Sequence, residues 1–169
     1  KSKENLVFLG MMGSGKTSIG LIVSKKLKID FVDVDKEIEK RLGLSISKIF
    51  EMRGEKYFRK IEELITLEYL KKNNSVISLG GGAFLNNKIK KEILEKHISF
   101  WLNWDMMTLV KRIKNHQKRP IAFKSTRNEL ADLIKKRSIV YSKAKYKIEC
   151  ENLTKNEIVD KIINIYEKH

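Results

Sequence analysis

The chain has 169 residues, and its 36 Lys and Arg against 21 Asp and Glu give a formal net charge of +15. That length suits one domain of about 100–200 residues and is too short for an eightfold β/α barrel, which needs about 250. The hydrophobic share of 41% excludes wholesale disorder, and the single cysteine, Cys150, excludes an intrachain disulfide.

The first half of the chain alternates apolar runs with helical patterns. Residues 6–9 and 31–33 predict short strands, and the glycine-rich stretch 10–15 separates the first strand from a helix over 16–27. Further helical patterns cover residues 35–42, 45–52 and 55–72, with Gly54 between the last two.

The second half continues this alternation. Strands are predicted over 76–79, 98–102 and 146–149, helices over 105–115, 129–144 and 154–167, and a polar, basic loop over 116–127. The last helix is expected to begin with a capping box, Thr154-x-x-Glu157. Strands that alternate with helices favour a parallel sheet with helices on both faces. The sequence therefore predicts one three-layer α/β/α domain over residues 1–169, built on a five-stranded parallel sheet.

A phosphate-binding pattern follows the first predicted strand. Gly10-Met-Met-Gly-Ser-Gly15-Lys16-Thr17 fits G-x-x-x-x-G-K-[ST] at every fixed position, between a strand and a helix. Its backbone N–H groups and the start of the helix favour phosphate oxygens. Lys16 is expected to neutralise phosphate charge and Thr17 to bind Mg²⁺. Together these features predict binding of Mg·ATP by Gly10, Met11, Met12, Gly13, Ser14, Gly15, Lys16, Thr17 and Ser18.

Other classes of nucleotide-binding protein fit less well. A GTPase would need a D-x-x-G segment and an N-K-x-D motif, and Asn87-Lys88-Ile89-Lys90 lacks the final Asp. A small kinase remains. The high positive charge leaves open a nucleotide-dependent nucleic-acid-binding protein, although the Lys residues are spread over the whole length and only seven residues are Arg.

Downstream residues extend the pattern over nearly the whole chain, and in joint order and spacing they resemble the shikimate kinase family, a group of P-loop small-molecule kinases similar to nucleoside monophosphate kinases. The residues that carry the resemblance are Asp33-Val34-Asp35, the segment Ile49-Phe50-x-x-x-Gly54-Glu55-x-x-Phe58-Arg59-x-x-Glu62, Gly80-Gly81-Gly82, Arg112, Arg119-Pro120 and Leu133-x-x-x-Arg137-x-x-x-Tyr141.

The resemblance implies a kinase fold with a lid over about 112–127 and an acceptor-binding segment over about 33–62. It implies transfer of the ATP γ-phosphate to the 3-hydroxyl of shikimate. From the sequence we also expect a cytoplasmic monomer with no specific nucleic-acid partner and no membrane partner, since no run of 18 apolar residues is present and the lysines are spread over the chain. Asp33 would join Thr17 at Mg²⁺, Asp35 would contact the acceptor hydroxyl, and Arg119 would stabilise the transferring phosphoryl group. Arg112 would stack on adenine.

The chemistry of the acceptor residues agrees with this assignment. Arg59 and Arg137 can clamp a carboxylate with bidentate hydrogen bonds, and Glu62, one helical turn from Arg59, can hold that guanidinium. Gly80, Gly81 and Gly82 leave room for the acceptor.

Simpler roles stay open for several of these residues. The two arginines could form surface ion pairs, the two Asp residues could be helix caps, and Arg119 could serve solubility. Another small acceptor, such as gluconate or a nucleoside monophosphate, also stays open.

Overall fold

Five short parallel strands form one sheet at the centre of the computed structural model, which describes residues 4–115 and 125–169. The strands are β1 (Leu6–Leu9), β2 (Asp30–Asp33), β3 (Ser75–Ser78), β4 (Ile98–Asn103) and β5 (Tyr146–Glu149). Their order in the sheet is β2-β3-β1-β4-β5, so the first strand in the chain lies in the middle. Leu6 pairs with Val76 on one side and with Ile98 on the other. The predicted five-stranded parallel sheet is confirmed.

Helices connect the strands in the described part of the chain. They are α1 (Lys16–Leu27), α2 (Val34–Leu42), α3 (Ile46–Lys71), α4 (Asn87–Lys96), α5 (Met106–Lys114), α6 (Arg127–Tyr141) and α7 (Lys155–Lys168), with a short 3-10 helix at Ala83–Leu85. None of the helices within residues 4–115 and 125–169 is long and apolar enough to cross a membrane.

The side chains of β1 alternate between two hydrophobic clusters, one on each face of the sheet. Val7 and Leu9 pack with the cluster that includes α2 to α6, whereas Leu6 and Phe8 pack with the cluster that includes α1 and α7. All four side chains are at most 1% exposed. Burial of such a side chain stabilises the fold by about 1.5–3 kcal/mol. A strand buried on both faces is the pattern of a parallel sheet covered by helices, so the three-layer prediction is also confirmed.

Local sequence signals explain most element boundaries. α3 contains a non-helical residue, Gly54, with φ +81°, so two helical segments meet at a bend where the sequence predicts two helices. The capping box at Thr154 and Glu157 is confirmed. The helix predicted from 129 to 144 instead covers Arg127–Tyr141, because a second capping box, Thr126 with Glu129, starts it earlier.

One helix was not predicted from the sequence. α4 begins after Asn86, whose side-chain oxygen accepts hydrogen bonds from the N–H groups of Lys88 and Ile89. Its buried residues Ile89 and Ile93 are one helical turn apart. The cap and this spacing were the signals that could have identified it.

The proposed lid lies largely outside the described residues. Of the stretch 112–127, residues 112–114 end α5 and Arg127 begins α6. The predicted catalytic residue Arg119 falls between the two described ranges, and its role stays a prediction from the sequence.

Candidate active site

The phosphate loop lies at the carboxyl end of the central strand, where open parallel sheets commonly bind ligands. All the residues predicted to contact ATP phosphates, 10–18, lie in the turn after β1 and in the first turn of α1. The turn is closed by a hydrogen bond of 3.1 Å from the Ser14 N–H to the Met11 carbonyl. The helix cap, Gly15, has φ +87° and no side chain to cap the first N–H groups of α1. Those groups have no partner within the helix and suit an anion.

Lys16 lies across this loop. Its ammonium group donates to the carbonyl oxygens of Gly10, at 2.7 Å, and of Met11, at 2.9 Å. The side chain is thus held beside the N–H groups of the loop, where a phosphate group would meet its charge.

Thr17 and Asp33 bring two oxygen ligands together. The Thr17 hydroxyl donates to Asp33 Oδ2 at 2.6 Å, while Asp33 Oδ1 caps α2 by accepting from the Lys36 N–H at 3.2 Å. Asp33, rather than Asp35, is therefore the helix cap, and it keeps its second oxygen for Thr17. Hard oxygen ligands of this kind fit Mg²⁺, which is usually held by one or two protein groups together with substrate phosphates.

Trp104 and Arg112 contact the outer side of the phosphate loop. The indole Nε1–H of Trp104 donates to the Ser14 carbonyl at 2.8 Å, and Arg112 Nη1 donates to the Gly13 carbonyl at 3.1 Å. The Arg112 guanidinium lies 4.0 Å from the centroid of the Trp104 ring. Sequence reasoning identified Arg112 but missed Trp104, although an aromatic residue directly after a central strand was a possible signal.

The triple-glycine loop after β3 approaches the predicted acceptor residues closely. A Cβ atom on Gly80 would lie 2.6 Å from Asp35 Oδ1 and 2.9 Å from Glu62 Oε2. A Cβ atom on Gly82 would lie 2.6 Å from Arg59 Nη1. A side chain at either position would therefore displace a charged group of the predicted acceptor site.

The middle glycine joins the two halves of the site. A Cβ atom on Gly81 would lie 3.2 Å from Arg137 Nη1 and 3.6 Å from the Met12 backbone nitrogen of the phosphate loop. The loop that faces the arginines is therefore also close to the loop suited to phosphates.

Two arginines and a buried carboxylate define the charge of the acceptor side. Arg59 Nη1 donates to Glu62 Oε1 at 2.9 Å, as the sequence predicted, and Arg59 Nη2 lies 3.5 Å from the exposed Glu55. Glu62 is only 2% exposed. Burial raises the pKa of Glu62, and the charges of Arg59 and Arg137 oppose that rise.

Arg137 is a buried cation with unused donors. It is 5% exposed, and its Nε and Nη1 atoms have no hydrogen-bond partner among the described residues. A buried guanidinium in this condition favours an anionic ligand, because unsatisfied buried donors are costly. The surface ion pair considered for Arg137 is therefore wrong, whereas Arg59 does pair with Glu62.

Tyr141, one turn after Arg137 on α6, has a role that the sequence did not indicate. Its hydroxyl donates to the Gly81 carbonyl and lies 3.8 Å from the sulfur of Met11. Burial raises the pKa of Tyr141 to about 12, so the hydroxyl stays a donor at neutral pH. This buried phenol connects α6, the glycine loop and the start of the phosphate loop.

In sequence, the chain is similar to known proteins of one family. The family model described as shikimate kinase matches residues 12–167. The chain is 39% identical over 166 residues to the shikimate kinase of Thermodesulfovibrio yellowstonii, covering 98% of this chain and 96% of that one. It is 36% identical over 169 residues to the shikimate kinase of Bacillus subtilis, covering 95% of this chain and 88% of that one.

Solved structures of the same kind are similar in fold. One is a shikimate kinase from Acinetobacter baumannii in complex with shikimate, with a TM-score of 0.92, 28% identity and coverage of 98% of this chain and 93% of that one. Another is a shikimate kinase from Aquifex aeolicus, with a TM-score of 0.87, 34% identity and coverage of 96% of each chain.

Proposed function

The chain belongs to the shikimate kinase family, and from that premise we propose that it transfers the γ-phosphate of ATP to the 3-hydroxyl of shikimate, giving shikimate 3-phosphate and ADP. The observation that carries this proposal is the position of Gly81. The position that a Cβ atom on Gly81 would occupy is 3.2 Å from Arg137 Nη1 and 3.6 Å from the Met12 backbone nitrogen. An acceptor bound by the arginine would thus lie next to the phosphate loop, which supports the proposal.

Arg59 and Arg137 are proposed to bind the shikimate carboxylate. A planar carboxylate can accept two hydrogen bonds from one guanidinium. The Nε and Nη1 donors of Arg137, which have no partner among the residues that the structure describes, fit such an acceptor. Glu62 supports this arrangement because its bond to Arg59 fixes the direction of that guanidinium.

Asp35 is proposed to orient the acceptor hydroxyl. Its carboxylate lies against Gly80, at the same position as the Glu62 carboxylate that Arg59 contacts, where it can accept a hydrogen bond from a bound polyol. Phosphoryl transfer passes through a loose transition state that depends on alignment and charge stabilisation more than on removal of a proton. We therefore assign Asp35 to in-line positioning of the hydroxyl.

On the donor side, Lys16 and the N–H groups of the phosphate loop are proposed to bind the ATP phosphates. Thr17 and Asp33 would hold Mg²⁺, which supplies charge neutralisation at the phosphates when it is bound. Arg112 would offer its guanidinium face to adenine, and Arg119 would stabilise the transferring group. A monomeric state, a cytoplasmic location and the lack of a nucleic-acid partner also stay predictions from the sequence.

A coupled assay of ADP release tests the function. Mg·ATP is supplied with shikimate, gluconate or CMP in parallel, and only shikimate is expected to support turnover. Lys16→Ala serves as the control for ATP-dependent transfer, since it removes the cation that contacts the phosphate loop. Turnover with gluconate or CMP in the absence of any response to shikimate would overturn the acceptor assignment and leave the phosphate loop in place.

A further inference from the structure

The phosphate loop is held from outside by the segment that follows β4. Trp104 donates its indole N–H to the Ser14 carbonyl at 2.8 Å. The side chain of Ser14 does not anchor the loop in the same way, since its buried hydroxyl has no hydrogen-bond partner within residues 4–115 and 125–169. A side chain outside the motif thus fixes the orientation of one of its peptide groups.

The orientation of that peptide group matters for binding phosphate. In a planar trans peptide, the C=O of one residue and the N–H of the next point in opposite directions. A Ser14 carbonyl held outward by Trp104 therefore fixes the Gly15 N–H on the opposite side, with the first N–H groups of α1. Gly15 has φ +87° and Gly13 φ +81°, and a loop with such conformationally free residues needs restraint from elsewhere.

Trp104 also supports a second contact with the loop. The Arg112 guanidinium stacks over its ring at 4.0 Å and donates to the Gly13 carbonyl at 3.1 Å. A cation over an indole ring is attracted to it, which limits where the guanidinium can lie. Two consecutive carbonyls of the loop, those of Gly13 and Ser14, thus depend on one aromatic ring.

The segment that carries Trp104 is itself fixed. Glu151 accepts hydrogen bonds from the Asp105 N–H at 3.1 Å and from the Thr108 hydroxyl at 2.8 Å. These bonds tie the start of α5 to the loop after β5. Trp104 also packs against both hydrophobic clusters, which further restrains its position.

We propose that Trp104 is a positioning residue for ATP, which orients the phosphate loop through the Ser14 carbonyl and carries Arg112 beside it. This role rests on the proposed function only in that the ligand of the phosphate loop is a nucleoside polyphosphate. It does not depend on which acceptor is phosphorylated.

Trp104→Phe tests the hydrogen bond, because phenylalanine keeps a ring under Arg112 and lacks the N–H donor. We expect the Kd for Mg·ADP, measured by calorimetry, and the KM for ATP to rise about 3- to 10-fold, the effect of losing one hydrogen bond. The KM for shikimate is expected to change less than about 2-fold. Trp104→Leu also removes the aromatic surface and should raise the nucleotide Kd further than Trp104→Phe does.

Trp101→Phe is the matched control. It makes the same chemical change three residues earlier, at a buried ring whose ring contacts are with Tyr141 and Lys147. Its affinity for Mg·ADP is expected to equal that of the unmodified protein. It also leaves Trp104 as the only tryptophan, whose fluorescence should then change on titration with Mg·ADP.

Two outcomes would overturn the inference: unchanged Mg·ADP affinity in a folded Trp104→Phe variant, or equal losses of ATP and shikimate affinity, which would indicate general destabilisation. Thermal melting of each variant checks the fold. Calorimetry with Mg·ADP needs no acceptor, so a protein that binds nucleotide and fails to phosphorylate shikimate would refute the proposed function and still test Trp104.

Discussion

Arg59 and Arg137 carry the same charge in different surroundings. The side chain of Arg59 is 30% exposed and paired with Glu62, whereas Arg137 is buried with two donor atoms unused in the described part of the chain. An anionic ligand would therefore stabilise Arg137 more than Arg59. We expect acceptor binding to lower the solvent exposure of Arg59 and to satisfy the donors of Arg137.

Arg59→Ala is expected to raise the KM for shikimate about 10- to 100-fold, because charge-assisted hydrogen bonds contribute about 1.5–3 kcal/mol. The KM for ATP should change little, and steady-state kinetics with each substrate varied separately checks this. Arg53→Ala, on the same helix but stacked on Tyr57, is the matched control and should leave both constants unchanged. An unaltered shikimate KM in Arg59→Ala would remove Arg59 from the acceptor site.

Two glycine substitutions should separate the neighbouring roles. Gly82→Ala places a methyl group 2.6 Å from Arg59 Nη1 and should raise mainly the shikimate KM, since it displaces a binding group. Gly80→Ala places one 2.6 Å from Asp35 Oδ1 and should lower mainly kcat, since it disturbs the group proposed to orient the hydroxyl. Steady-state assays of each variant give the change in the shikimate KM and the change in kcat. If both variants change these two constants in the same proportion, the separate roles of Arg59 and Asp35 are contradicted.

Among the elements, the residue between α4 and β4, His97, contacts the start of β1 through a hydrogen bond that depends on its charge. The Asn5 N–H, at the start of β1, donates to His97 Nδ1 at 3.2 Å, so the ring accepts there only when that nitrogen is unprotonated. Burial lowers the pKa of His97, opposed by Glu92 and Glu4 and assisted by Lys96. The hydrogen bond from Asn5 and the lowered pKa both favour the neutral ring in the folded protein.

The pH dependence of stability follows from this shift. In the unfolded chain, His97 takes up a proton near its ordinary pKa of about 6.5, whereas the folded protein resists protonation until a lower pH. We expect stability to fall as the pH drops from about 7.5 to about 5.5, measured as Tm. His97→Asn keeps an acceptor for the Asn5 N–H and should make this fall smaller. Equal falls in the two proteins would show that His97 does not contribute.

Prediction from the sequence succeeded where one short pattern determines the local structure. The phosphate loop, the bend at Gly54 and the capping box at Thr154 each depend on neighbouring residues, so their elements could be identified. The contact of Arg59 with Glu62 followed from helical spacing alone.

The contacts missed from the sequence join distant segments. Trp104 is 90 positions from Ser14, and the Tyr141 hydroxyl is 60 positions from the Gly81 carbonyl it contacts. Such pairs form only through the strand order, in which β1 lies between β3 and β4. The sequence pattern predicted parallel strands and left their order open, so these contacts could not be derived.

For the molecule as a whole, the net charge of +15 should destabilise the folded state through repulsion among its many lysines. We expect the Tm at neutral pH to rise between about 20 mM and about 500 mM NaCl, because the screening length falls from tens of ångströms to a few. Chloride is preferred to sulfate, which could bind at the phosphate loop and stabilise the protein directly. A Tm that stays constant or falls would mean that local ion pairs outweigh the repulsion.

The central place of β1 has a kinetic consequence. Leu6 pairs with Val76 and Ile98, which lie 70 and 92 positions further along the chain. The strand that leads into the phosphate loop therefore pairs with its neighbouring strands late in folding. Contacts of such large sequence separation slow folding, because long loops must close first. During folding, the phosphate loop can therefore bind nucleotide only after most of the sheet has formed. We expect Mg·ATP to slow the unfolding of this kinase markedly and to leave its refolding rate almost unchanged.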